Sequence, residues 1–211
     1  TSHPIDFTED LIEVFKICKK LMPLVHLPVQ SGSNKILRAM NRKHSIEEYI
    51  DITKKLKRIK PNIKFSSDFI IGYPGETQED FNKTIELMKN IEFINSYSFI
   101  YSARPGTPAF NLTNIKHEIA KKRLSDFQII ARKIKINYRK NLINKMSTVL
   151  FENKTKNLNE FFGRDEYFNS IIVKSNRNLI GKIKNVKILE INQNTLLGEI
   201  NENFKEKKYA A

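Results

Sequence analysis

The chain has 211 residues, 40% hydrophobic and 10% aromatic, a composition that fits a globular protein and excludes a disordered one. Its one cysteine, Cys18, excludes an internal disulfide or a cysteine-built metal site, and no apolar run approaches the ~18 residues of a membrane span. The net charge of +14 is uneven: residues 1–113 hold 16 Lys and Arg against 13 Asp and Glu, and residues 114–211 hold 21 against 10, which points the second half toward a polyanion.

Residues 1–6 read as the end of a strand. Thr8 caps a helix running to about Met22, with Leu11, Phe15, Cys18 and Met22 on one stripe and Cys18 as a small core residue. Residues 24–30 (LVHLPVQ) form a strand, and Ser33 caps a short helix through Met40. Ser45 with Glu48 is a capping box for a helix to about Ile59, whose inward stripe is Tyr49, Thr53, Leu56 and Ile59. Residues 64–77 (KFSSDFIIGYPGET) are the organising stretch. They read as a strand buried on both faces, a Gly/Pro turn, and a helix start capped by Thr77 with Asp80. That helix turns Phe81, Ile85, Met88 and Ile91 inward. A third strand covers residues 95–101.

Strands alternating with helices every 30–40 residues or so predict repeated βα units on a parallel sheet. The three strands end in the loops QSGS, GYPGET and SARPGTP. On such a sheet these loops share one rim, and Gln30, Ser31, Asp68, Glu76 and Arg104 gather there as a candidate ligand site.

Residues 116–142 form a long helix with the stripe Ala120, Leu124, Phe127, Ala131, Ile134, Tyr138 and Leu142 and an opposite face rich in Lys and Arg. From Met146 the segments are short and β-branched: residues 147–152, 170–174, 181–191 and 195–200. They predict a small β-barrel. Ile183, Val186, Ile188 and Ile191 are its bulged strand's core, residues 155–168 a long loop with exposed aromatics, and the residues beyond 203 a frayed tail.

Three stretches, HLPVQSGSNKILRAMNRKHS (26–45), DFIIGYPGET (68–77) and YSARPGTPA (101–109), resemble the radical SAM methylthiotransferases. GRDEYFNSIIV (163–173), LIGK (179–182) and LLGEI (196–200) resemble the TRAM domain of that family, a small RNA-binding barrel. The HLPVQSGS and AMNR segments look like the branch that makes 2-methylthio-N6-isopentenyladenosine in tRNA. The resemblance implies an α/β fold: the C-terminal portion of a (β/α) TIM-like radical SAM barrel over residues 1–145, an all-β, OB-like TRAM barrel over 146–203, and a tail over 204–211. It also implies a longer enzyme. There, S-adenosylmethionine is cleaved to a radical, two 4Fe-4S clusters take their cysteines from before Thr1, and the methylthio group is added beside the tRNA anticodon.

On this reading the chain carries no catalytic or metal residue of its own and is inactive alone. By resemblance, Gln30, Ser31, Asp68, Ile70, Gly72, Tyr101 and Arg104 line the S-adenosylmethionine pocket. Many radical SAM enzymes carry GxIxGxxE on the central strand. Here Asp68 stands for the first Gly and Gly75 for the Glu, with Glu76 one place later. Arg164, Lys174, Arg177, Lys182, Lys184 and Lys187 are the expected phosphate contacts for the anticodon loop, with Tyr167 and Phe168 as base-stacking candidates. The expected setting is the cytoplasm, away from membranes, and the expected full-length form is a monomer. The alternatives are a stand-alone RNA-binding adaptor, or the ribosomal-protein or threonylcarbamoyladenosine branch of the same family.

Overall fold

The structure is a computed structural model describing residues 3–201, and it divides into two units, Thr1–Ile136 and Asn137–Ala211. Residues 202–211, including the tail, and residues 1–2 lie outside the described residues.

In the first unit, β1 (Leu24–His26), β2 (Lys64–Ile71) and β3 (Asn95–Ile100) form a parallel sheet in the order β1-β2-β3. Helices α1 (Glu9–Ile17), α2 (Asn34–Ala39), α3 (Ile46–Ile59), α4 (Gln78–Ile91) and the start of α5 (His117–Lys140) accompany it. Strand β1 is shorter than residues 24–30 because Pro28 donates no N–H to the ladder. Side chains replace the missing bonds: Ser67 Oγ accepts from Val29 N at 3.0 Å and Tyr49 Oη donates to Leu27 O at 2.7 Å. The pairing resumes at Gln30, which bridges Phe69.

Three of the four expected caps form; Thr8 stands at the N-cap of α1, but its hydroxyl donates to Asp10 Oδ1 and caps no backbone N–H. Ser33 accepts from Ile36 N, and the Ser45/Glu48 and Thr77/Asp80 capping boxes each make both reciprocal bonds.

Two expectations fail at the N-terminal end. Pro4–Asp6 is a 3-10 turn, not a strand end. Helix α1 stops at Ile17, so Cys18 is extended and exposed, and the buried stripe is Ile12 and Phe15. A turn closed by Leu21 N donating to Cys18 O follows the helix, and the Lys19-Lys20 pair has no reason to enter the core.

The core lies on one face of the sheet. Val25, Leu27, Val29, Phe65, Phe69 and Ile71 meet Tyr49, Leu56, Phe81, Met88 and Phe127 from the helices. Phe69 packs at 5.5 Å from Phe93 and 4.7 Å from Phe127, ring centroid to centroid.

The second unit is a closed barrel with strand order β4-β5-β6-β8-β7. The strands are β4 (Met146–Lys154), β5 (Glu160–Asp165), β6 (Ser170–Lys174), β7 (Ile183–Ile191) and β8 (Leu196–Ile200). Strand β5 occupies the middle of the loop expected over residues 155–168. Phe161, Gly163 and Asp165 are buried while Phe162 and Arg164 face outward, an alternation masked by two adjacent phenylalanines and by polar residues at inward positions. Ile183 is exposed; Val186 and Ile188 carry the core of β7, with the expected register shift between Ile188 and Glu190.

Candidate functional site

In a parallel register, paired residues share a face, so Asp68 with Tyr97 and Ile70 with Phe99 lie on the side opposite the helical core. His26, paired with Ser66, joins them through a 3.4 Å contact of its Nε2 with Asp68 Oδ1 and a 2.8 Å hydrogen bond of its Nδ1 with Ser66 Oγ. This face is open, with Tyr97 54% and Phe99 59% exposed, so β2 is not covered on both sides as its apolar run predicts. His26, Tyr97 and Phe99 are additions to the expected site. The alternation Tyr97, Phe99, Tyr101 was the available signal. Arg42 is a further addition: burial lowers its pKa, and the nearby Asp68 carboxylate acts in the opposite sense.

At the carboxyl end of the sheet the expected residues behave differently from one another. Gln30 holds a left-handed backbone, φ 74°, between two β2 bonds: its N–H donates to Asp68 O and its carbonyl accepts from Ile70 N, both at 2.9 Å. The Ser31 side chain is buried, accepting from Ser33 N at 3.2 Å and lying 3.4 Å from Thr84 Oγ1. Gly72, φ 76°, lies so close to α5 that an added Cβ would stand 2.8 Å from Ala120 Cβ. The Tyr101 hydroxyl is buried with no hydrogen-bond partner, its ring 4.9 Å from that of Tyr73. Arg104 is exposed, and its carbonyl accepts from the Thr107 hydroxyl at 2.8 Å.

Glu76 does not face the open sheet. It is buried, accepts from Gly72 N at 3.2 Å, and meets Arg123 of α5 at 2.7 Å. Burial pushes its carboxyl up from the ordinary value, while Arg123 and the Gly72 amide pull it back. Arg123 is thus a buried exception on a helix that the sequence marks as rich in Lys and Arg. Asp80 is the second anchor, accepting from the Ser33 hydroxyl at 2.7 Å, Thr77 N at 2.9 Å and Lys35 Nζ at 3.0 Å. Burial alone would raise its pKa; those donors overcome it and hold the carboxyl well below the usual carboxylate range. Both carboxylates therefore shape the loops and offer nothing to a ligand. A groove of about 420 Å³ lined by Lys35, Arg38, Glu47 and Lys83 belongs to the helical layer, not to the open face.

In the barrel, the expected phosphate contacts do not form one uninterrupted basic patch. Lys174 pairs in register with Glu160, Lys187 with Glu199, and Arg164 Nε lies 3.6 Å from Glu152. Lys184 follows the inward register of Val186, while Arg177 and Lys182 lie in the turns ahead of β7. Asp165 adds no surface charge. It is buried and accepts from Tyr167 N, Asn169 N and Asn169 Nδ2, each at 2.9 Å, with burial pushing its pKa up. Tyr167 is half-buried against Tyr138, whereas Phe168 is 51% exposed.

Residues 1–88 match the family profile described as the Radical SAM superfamily, and residues 140–200 match the TRAM domain. The tRNA-2-methylthio-N(6)-dimethylallyladenosine synthase of Pelagibacter ubique is 54% identical over 98% of this chain and 46% of its own length. The protein of the same name from Wolbachia pipientis (strain wPip) is 47% identical over 94% of the chain and 46% of its own length. The chain joins a Radical SAM superfamily segment to a TRAM domain. It spans about half the length of these curated relatives. The fold of the radical SAM enzyme coproporphyrinogen III oxidase from Escherichia coli covers 78% of the chain and 45% of its own at a TM-score of 0.53 and 12% identity.

Radical SAM proteins use S-adenosylmethionine and an iron–sulfur cluster, and the two fit this chain differently. Among the described residues no group of three or more His, Cys, Asp and Glu is placed to hold a metal ion, and Cys18 stands by itself on the surface. The residues present do not fit a cluster. An open sheet face with a carboxylate, a histidine and the orphaned Tyr101 hydroxyl at its rim does fit a small polar ligand with a flat apolar part. Among the described residues no helix is long and apolar enough to cross a membrane.

Proposed function

We propose that this chain is the C-terminal part of a radical SAM tRNA methylthiotransferase that adds a methylthio group to C2 of N6-isopentenyladenosine beside the anticodon. The observation that carries the reading is the continuity of the match. One named enzyme is similar across both units and the helix joining them, at 54% identity over 98% of the chain. On this reading residues 1–145 are the radical SAM segment, 146–203 the TRAM domain and 204–211 a tail. The whole enzyme holds two 4Fe-4S clusters on cysteines contributed from outside this sequence and works as a monomer in the cytoplasm.

S-adenosylmethionine, when bound, supplies the radical chemistry and the methyl group. This chain's residues do the holding. Ile70 and the neighbouring Phe99 give an apolar surface for a flat ring, beside the polar His26–Asp68 pair. Gln30, Gly72, Tyr101 and Arg104 stand at the rim, and the Tyr101 hydroxyl supplies the donor that lacks a partner. Ser31 contributes through the backbone, since its hydroxyl is engaged inside the loop. The barrel holds the tRNA through Arg164, Lys174, Arg177, Lys182, Lys184 and Lys187, whose summed charge sets the affinity although three of them have acidic neighbours.

The test is a chimera in which the matching part of the Pelagibacter ubique enzyme is exchanged for these 211 residues. Expressed in cells lacking the modification, the chimera should restore 2-methylthio-N6-isopentenyladenosine in tRNA, read by mass spectrometry. A soluble chimera with intact clusters and no product on any tRNA would refute the reading.

A further inference from the structure

We propose that Phe168, backed by the Arg164 guanidinium and the Phe162 ring, is a stacking platform for one unpaired RNA base on the outer face of the barrel. The proposal rests on the RNA-binding reading of the second unit and assigns its base contact.

The first observation is a ladder of flat groups. The Arg164 guanidinium carbon lies 5.7 Å from the Phe162 ring centroid and 5.4 Å from that of Phe168. Glu152 steadies the guanidinium from the side at 3.6 Å. A cation against one face of Phe168 leaves its outer surface as the open end of a stack, and that ring is 51% exposed.

The second observation is the backbone beneath it. Phe168 has φ 61°, in the left-handed region that glycine or asparagine fills most readily and a bulky aromatic avoids. Among the described residues, three of the six non-glycine positions with positive φ are asparagines, which makes an aromatic residue there conspicuous. The buried Asp165 carboxylate holds the turn in place through Tyr167 N, Asn169 N and Asn169 Nδ2, and Phe168 N donates to Asp165 O at 3.0 Å. A buried knot therefore maintains a disfavoured conformation whose visible result is an exposed ring. That combination points from strain toward a binding role.

The third observation chooses the occupant. The second unit contains 14 Lys and Arg against 8 Asp and Glu, so a polyanion is drawn to it. An aromatic surface backed by Arg164, on a unit of net positive charge, suits a nucleobase, and a base inside a duplex presents no free face to it. An unpaired base is therefore the fitting ligand.

The experiment uses the full chain with two fluorescently labelled RNAs, a hairpin with an unpaired loop and a fully paired duplex of the same length. Phe168→Ala should weaken hairpin binding about tenfold, the size expected for one lost base stack, and leave duplex binding unchanged. The salt dependence should keep its slope, because no phosphate contact is lost. Phe168→Asn, which suits the left-handed backbone, should lose as much as Phe168→Ala, and Phe168→Trp should retain hairpin binding. Hairpin binding by the alanine and asparagine variants equal to that of the unaltered chain would overturn the platform and leave RNA binding standing. Equal losses on both RNAs would also overturn it. A change in oligomeric state on Phe168→Ala, with RNA binding intact, would assign the ring to a protein interface instead. If the unaltered chain binds neither RNA, the RNA-binding reading itself fails, and the platform with it.

Discussion

The first unit buries Glu76 against the Arg123 guanidinium at 2.7 Å, whereas the second buries Asp165 with no ion pair among the described residues and three N–H donors at 2.9 Å. Both carboxylates sit beneath a loop that carries candidate ligand contacts. The difference follows from what each must join. Glu76 ties a strand-to-helix turn to a helix distant in sequence, and a cation reaching across that gap is the available partner. Asp165 chiefly ties down its own turn through the Tyr167 and Asn169 amides, with the Ser147 side chain of β4 adding a neutral partner, and no cation is needed. The sheets differ in the same sense. The barrel closes on itself and leaves no strand edge, whereas the three-stranded sheet has edges at β1 and β3 and an open aromatic face.

The largest test of this contrast is separation. Residues 146–203 expressed alone should fold as a soluble monomer, and residues 1–145 alone should aggregate through the open edges and the exposed Tyr97 and Phe99. A cooperative, monomeric melt of the first segment would break the comparison.

Next in size is Arg123→Met, which strands a buried carboxylate and should cost about 3–5 kcal/mol in urea unfolding. Adding Glu76→Gln to it should recover part of the loss.

A third test uses acid. His44 is 5% exposed with both ring nitrogens lacking partners, and burial lowers its pKa from 6.5 to about 4. Its neutral form is the folded form. The unfolded chain therefore takes up the proton first, and stability falls as the pH drops from 6.5 toward 4, by roughly 3 kcal/mol once both states are protonated. His44→Phe should flatten that part of the profile, and an unchanged slope would remove His44 as its source.

The fourth is Asp165→Ala, which leaves local amides unsatisfied and should cost about 1–3 kcal/mol, less than breaking the Glu76–Arg123 pair. Smallest is Phe168→Ala, which should change stability by under about 0.5 kcal/mol, since the ring is half exposed. A large loss there would make the ring structural.

Much of the fold was legible because its signals are local. The caps at Ser33, Ser45 and Thr77 depend on residues within three positions of each other. The strand-to-helix alternation comes from runs of apolar residues bounded by Gly and Pro. Strand β5 was missed because Gly163 and Asp165 occupy inward positions for reasons of close approach and hydrogen bonding. A Cβ on Gly163 would meet Leu150 O at 2.4 Å. Cys18 was misplaced because helical periodicity continues past Ile17, where the helix ends well ahead of Pro23.

Sequence by itself determined the two domain families, the order of the two units, the capped helices and the residues at the strand ends, since each is carried by neighbours along the chain. Only the tertiary structure decided which charged residues are buried anchors and which face solvent. Glu76 and Arg123 lie 47 positions apart and Ser33 and Asp80 the same distance, so nothing in either neighbourhood marks them as partners. Likewise the register of β2 with β3 selects the face shared by Asp68 and Tyr97, and a shift of one residue would have exchanged it for the core.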